Sequence, residues 1–199
     1  IIFIFSVELY ISSNFCSINS TLMLCLTKRG IVMKIRVADD KDVEMLISTI
    51  NDVVIVNSSY LGDNWFKKRI LGNKSVYVLE DEGVGFIGLL VAYNKKYLGK
   101  VKLLDNKVIN YILKKYPGDF YYLDFLAIKK SELNKGMEKI LISSILDDAK
   151  KKMVYTGVNL NSDLSDEQYL KELDFFDFST VEKIPNEENP EFEIYEKEA

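Results

Sequence analysis

No histidine occurs anywhere in the 199 residues. Ser-His-Asp and Cys-His catalysis are thereby excluded, as are the commonest metal-ligand sets. Any acid–base chemistry has to come from carboxylates, tyrosines, lysines or water. Cysteine is almost as scarce, and the two present, Cys16 and Cys25, fall within the first 32 residues. From residue 33 onward no disulfide, thiol nucleophile or zinc-cysteine site can be built, and the cytoplasm is the default compartment. Complete Walker and Rossmann glycine motifs are missing too, and there is no internal repeat or low-complexity segment.

Charge is missing from the beginning of the chain. Residues 1–26 carry only Glu8, although 28% of all residues are charged. A secretory signal needs a basic segment before its apolar core, and none is present. A membrane span needs about 20 mostly apolar residues, whereas Ser12, Ser13, Asn14, Ser17, Asn19 and Ser20 interrupt this run. Lys28-Arg29-Gly30 can be encoded by a purine-rich stretch resembling a bacterial ribosome-binding site shortly before Met33. We therefore expect residues 1–32 to be a translated leader outside the fold, with a membrane anchor as the alternative. Residues 33–199 then form a single domain, long enough for a sizeable core. Removing Glu8, Lys28 and Arg29 from 26 basic and 30 acidic residues leaves 24 and 29, a net charge of −5. An acidic domain without a basic face is a poor partner for nucleic acid.

What is present centres on Tyr121 to Lys152. Phe120 to Ile128 is a dense apolar and aromatic run after the turn pair Pro117-Gly118, which predicts a strand, and Asp124 is its single charge. A short basic loop with Gly136 follows. Met137, Leu141, Ile145 and Ala149 then repeat at helical spacing, flanked by Ile140, Ile142 and Leu146, with Lys139, Ser143, Asp147 and Lys150 opposite. A strand feeding a helix through such a loop aims unpaired backbone N–H groups and the positive end of the helix dipole at one point, which suits a pyrophosphate.

At these residues the chain resembles the GNAT superfamily of acyl-CoA-dependent N-acetyltransferases. Asp124 to Ile128 (DFLAI) matches the family's central strand, Gly136 the middle glycine of its P-x-x-R-G-x-G-x-G loop, and Leu141-Ile142 the paired leucines of the helix. Lys130, Leu133, Asn134 and Glu138 stand where the family has its proline, arginine, first glycine and last glycine. The opening Ile35, Arg36, Ala38 and Asp42 resembles the family's I-R-x-A-T-x-x-D, with Asp39 at the threonine. The resemblance implies an α/β fold with a mixed, V-splayed central sheet of six to seven strands flanked by helices.

Around this centre, Lys34–Ala38 reads as a strand. Asp39 or Asp40 reads as an N-cap before a helix carrying Val43, Leu46, Ile47, Ile50 and Val54. Residues 58–71 read as a second helix, whose Tyr60, Trp65 and Phe66 either pack or touch an acceptor. Strands are expected over 75–80 and 84–94, the second with Gly85 and Gly88, and within a strand a glycine often marks a bulge or close backbone approach. A helix is expected between Lys95 and Lys115 with Val101, Leu104, Val108, Tyr111 and Ile112 on one side. After the central helix come a strand over 153–160, a short helix opened by the capping box at Ser165, and closing strands over 178–184 and 191–197. The last reads as an edge strand with an acidic face.

The same resemblance supplies the functional expectations. The reaction is transfer of an acetyl group from acetyl-CoA to a primary amine by direct attack, with no covalent enzyme intermediate and no metal. Main-chain groups of Leu126, Ala127 and Ile128 would pair with pantetheine as an added strand. N–H groups of Asn134, Lys135, Gly136, Met137, Glu138 and Lys139 would cradle the pyrophosphate, helped by Lys129, Lys130 or Lys135. Asp124 is the acid–base candidate, because burial raises a carboxylate's proton affinity. Placing Phe175 on the family's final phenylalanine puts Leu170 on the slot of the tyrosine that protonates the thiolate, and a one-residue slip brings Tyr169 there. The acceptor would be a small-molecule or peptide amine, without nucleic acid or membrane, the protein being a cytoplasmic monomer or homodimer. The altered loop residues support an alternative, a GNAT-fold module that binds CoA weakly or serves protein interaction.

Overall fold

The computed structural model describes residues 24–28, 31–49, 52–57, 76–98, 107–150, 152–159, 165–184 and 192–199. In chain order the elements are β1 (Leu24–Lys28), β2 (Ile31–Val37), α1 (Asp42–Thr49), β3 (Val53–Asn57), β4 (Val76–Asp81) and β5 (Gly85–Asn94). Then come α2 (Lys95–Leu98), α3 (Lys107–Lys115), β6 (Phe120–Lys129), a 3-10 turn (Lys130–Glu132) and α4 (Met137–Ala149). The chain closes with β7 (Met153–Asn159), α5 (Ser165–Phe175), β8 (Ser179–Ile184) and β9 (Phe192–Glu198). All the described strands join one mixed sheet in the order β1-β2-β4-β5-β6-β7-β9-β8, with β3 pairing β6 outside that row. Among the described strands only β6 and β7 run parallel, and α4 makes the crossover that a parallel pair requires.

Alternating side chains give the sheet two cores. One face buries Val43 and Leu46 of α1, Leu98 of α2 and Ile112 of α3 against Val91, Tyr93, Phe125 and Ala127. The other buries Met137, Leu141, Ile142 and Ile145 of α4 and Tyr169 and Leu173 of α5 against Leu90, Leu123, Leu126 and Ile128. The helical spacing seen in the sequence therefore does face the sheet. Tyr121 donates to Asp148 of α4 at 2.8 Å, fastening that helix to β6.

Arg36 of β2 ties α1 to the sheet. Its guanidinium donates to both Asp42 oxygens, at 2.6 and 2.7 Å, and to both Glu80 oxygens, at 2.6 and 3.1 Å. The hydrogen bonds from Arg36 hold the Asp42 carboxyl below its ordinary 3.8. A depressed carboxylate stabilises the fold above its unfolded value and loses that contribution as pH falls toward the folded one. Arg36→Met is expected to cost about 2 kcal/mol near pH 7, somewhat below the cost of breaking a fully buried pair. Urea titrations across pH 2–7 should also show a flatter acid limb for the variant.

Several elements differ from the sequence reading. The first helix ends at Thr49, and Val54 lies in β3, because the β-branched run Val53-Val54-Ile55-Val56 favours extended backbone over helix. The strand over 192–198 is internal, held between β7 and β8, so β8 is the sheet edge on that side. The 95–115 helix appears as two described pieces, α2 and α3, with Val101 and Leu104 outside the described residues. The expected helix over 58–71, with Tyr60, Trp65 and Phe66, also lies outside them. β1 pairs antiparallel with β2, from Leu24↔Ile35 to Lys28↔Ile31, so the sheet extends beyond the expected boundary at Met33. That pairing covers backbone groups that β2 would otherwise expose along its outer edge.

Candidate functional site

The site is built where β6 and β7 part. Their parallel pairing runs from Phe120↔Met153 to Leu123↔Thr156. One residue further along, the β5–β6 register slips: Val91 opposes Phe125 and Ala92 opposes Leu123, leaving Asp124 as the extra residue of a β-bulge. Tyr122, Phe125 and Ala127 belong to one core and Leu123, Leu126 and Ile128 to the other, so the bulge at Asp124 shifts the strand's inside–outside phase. The Asp124 side chain is buried, with the residue 3% exposed. The single charge of the run Phe120 to Ile128 thus sits at the divergence of two parallel strands.

Tyr169 reaches the same point from α5. It is fully buried. Thr156 Oγ1 donates to the Leu123 carbonyl at 3.0 Å and lies 3.0 Å from the Tyr169 hydroxyl. A threonine hydroxyl has one proton to give, and the carbonyl takes it, so Tyr169 is the donor to Thr156. Leu170 is only half-buried. The structure therefore brings Tyr169, rather than its neighbour, to the last pair of the β6–β7 ladder. Thr156 went unnoticed in the sequence, where one threonine in an apolar strand carries no signal. Thr156→Val is expected to lower stability by about 2 kcal/mol, since it strips a buried carbonyl and a buried hydroxyl of their partner. Thr156→Ser, which keeps the oxygen, should cost about 1 kcal/mol for the lost methyl, and chemical denaturation distinguishes the two.

The loop between β6 and α4 is compact. Asn134 and Gly136 both take left-handed backbone, φ 61° and 81°. Asparagine and glycine are the residues that reach that region most readily. Lys135 N–H bonds the Glu132 carbonyl at 3.3 Å, and the first turn of α4 closes through Ile140 N–H to the Gly136 carbonyl. The amides of Met137, Glu138 and Lys139 precede that bond and, as the first N–H groups of a helix, have no partner within it. This end of α4 is suited to an anion.

The chain's own groups stand there. Glu138 is 1% exposed, and its Oε1 accepts the Asn134 N–H at 3.4 Å. Its Oε2 is buried with no hydrogen-bond partner. The positive end of the helix dipole favours a carboxylate at this position. Of the expected cations, Lys135 pairs with Glu132 at 3.1 Å. The Lys139 ammonium, on the first turn of α4, lies 3.5 Å from the centroid of the Phe175 ring.

The pantetheine edge differs more sharply from expectation. Beyond the bulge, β3 pairs with the free side of β6 through Val53↔Lys129, Val54↔Ile128, Ile55↔Ala127 and Asn57↔Leu126. It also lies against α5. Leu126, Ala127 and Ile128 are therefore not open to an added strand in this arrangement, because each main-chain edge accepts one neighbour and β3 is that neighbour. The helix end fits a diphosphate in its amides, but the pantetheine arm does not fit while β3 is in place. The run of four β-branched residues over 53–56 was the available signal for β3.

The overall architecture is nevertheless that of known proteins. Arabidopsis thaliana NAA60 in complex with acetyl-CoA superposes with a TM-score of 0.59, at 14% identity, over 84% of this chain and 99% of the other. This chain has the GNAT acetyltransferase fold. Arabidopsis thaliana Naa50 in complex with the bisubstrate analogue CoA-Ac-MVNAL gives 0.56 at 15% identity, over 84% and 99%. The ribosomal-protein-S18-alanine N-acetyltransferase from Escherichia coli gives 0.55 at 11% identity, over 82% and 92%. No family model and no curated protein matches the sequence. At these identities the likeness is one of GNAT fold. Among the described residues no three His, Cys, Asp or Glu side chains cluster as metal ligands, and no helix is long and apolar enough to cross a membrane.

Proposed function

We propose that this GNAT-fold chain is an N-acetyltransferase that moves an acetyl group from acetyl-CoA to a primary amine of a small molecule or peptide. The observation that carries the reading is the bulge: it sets a buried carboxylate, Asp124, where β6 and β7 diverge, one strand-loop step from the helix end suited to a diphosphate. The amine nitrogen attacks the thioester carbonyl, its proton passes to Asp124, and the C–S bond breaks to release the CoA thiolate. Tyr169, held by Thr156 at the same divergence, is the proposed proton donor to that thiolate. Direct attack suits a chain with no histidine and no cysteine in its catalytic region. The helix-end amides of Met137, Glu138 and Lys139 are the proposed diphosphate cradle, joined by those of Asn134 and Lys135 once these leave Glu138 and Glu132. We propose a cytoplasmic protein, monomeric or homodimeric.

A second reading, a GNAT-fold module that does not transfer acetyl groups, is favoured by two observations: the Glu138 carboxylate at the head of α4 and β3 along the pantetheine edge. Calorimetry with acetyl-CoA, followed by an amine screen that monitors thiol release, separates the two. Micromolar binding with amine-dependent thiol release is the outcome expected of the enzyme. A folded protein that shows neither leaves the module.

A further inference from the structure

The disagreement between the GNAT fold and the occupied β6 edge has a physical reading of its own. β3 occupies the very edge, Leu126 to Ile128, along which an extended amide-bearing ligand could add as a strand. Past the end of β6, at the head of α4, the buried Glu138 carboxylate accepts from the loop amide of Asn134, as a phosphate oxygen would. An internal strand and an internal anion thus stand in for the two halves of one ligand, a diphosphate joined to an amide chain.

We infer that β3 is a displaceable strap: its pairing with β6 and the binding of acyl-CoA exclude each other, so the protein alternates between a closed, self-paired state and an open, ligand-binding one. This rests on the acetyltransferase reading. The features of β3 suit exchange. It is five residues long and stands outside the continuous row of the sheet. Its ladder with β6 is interrupted by an irregularity between Ile55 and Asn57, which leaves Val56 without a register partner on β6. The bulge at Asp124 and the end of the β6–β7 pairing at Leu123 keep β7 away from this edge, so release of β3 requires no rearrangement of the main row. Glu138 acts in the same direction, because a carboxylate at the helix end repels an incoming diphosphate until it swings away.

The test is a reversible staple. Val53 and Lys129 oppose each other directly, and paired antiparallel residues lie at a separation a disulfide can span. The full-length chain carrying Val53→Cys and Lys129→Cys, with Cys16→Ser and Cys25→Ser, is titrated with acetyl-CoA after oxidation and again after reduction, beside the unstapled Cys16→Ser, Cys25→Ser chain. Apparent affinity scales with the fraction of molecules whose edge is open, so oxidation is expected to weaken binding by at least about tenfold, with recovery on reduction. Equal affinity in the oxidised and reduced forms overturns the strap and leaves the acetyltransferase reading standing. Absence of binding in every form, the unstapled chain included, overturns that reading and the strap with it.

Discussion

Asp124→Asn is expected to lower acetyl-transfer turnover by about 100-fold while leaving acetyl-CoA affinity nearly unchanged. Asparagine matches aspartate in size, so the bulge and the strand pairing around it should survive, and only the capacity to take a proton is lost. The residue is buried and stands where β6 and β7 separate, so a proton leaving an amine there has few other acceptors to reach. The measurement is a steady-state assay of thiol release together with calorimetry on the same preparation. Unaltered turnover would remove Asp124 from the mechanism, and a parallel fall in acetyl-CoA affinity would recast it as a binding or structural residue.

Gly88→Val carries the largest expected structural effect. Gly88 pairs with Ile128 across β5 and β6. A Cβ there would stand 2.7 Å from the Ile128 Cδ1 and 2.8 Å from the Ala127 carbonyl oxygen. The isoleucine methyl can turn aside, but the carbonyl belongs to the central strand and cannot move without breaking the ladder. We expect a loss of about 3 kcal/mol, at the upper end of overpacking costs. That corresponds to a Tm lower by roughly 10 °C for a chain of this size. Gly118→Ala is the control: an added Cβ there has nothing within 4 Å, and stability should stay within about 0.5 kcal/mol of the parent chain. Because Ala127 and Ile128 also form the edge that β3 holds, Gly88→Val should in addition loosen β3, which hydrogen exchange of the residue 53–57 amides would register.

Some of this was legible in the residues themselves. The apolar line Met137, Leu141, Ile145 and Ala149 specified α4 and the face it buries, since helical spacing is a property of a dozen consecutive residues. The aromatic run after Pro117-Gly118 specified β6, and Gly88 marked the close approach that the structure places beside Ala127. Asp124 stood out as the one charge in the apolar run Phe120 to Ile128, which singled it out before its surroundings were known. Tyr169 against Leu170 could not be settled from local pattern, because the choice depends on where α5 docks, and docking is fixed by Leu173 and Tyr169 meeting β7 and the more distant β6, a tertiary matter.

By itself, then, the sequence determined β2, β4 to β9, the central helix α4 and their order, but not β1 or β3, because periodicity, turn chemistry and the strand-loop-helix signature act over short stretches of chain. Tertiary structure alone decided that β3 fills the edge beside Ile128, that Glu138 turns inward to Asn134, and that a bulge puts Asp124 where two strands part. The reason is that an unpaired strand edge or a helix end accepts whichever group the rest of the molecule delivers. Delivery depends on register between segments as far apart as Val53 and Lys129, which no local pattern encodes.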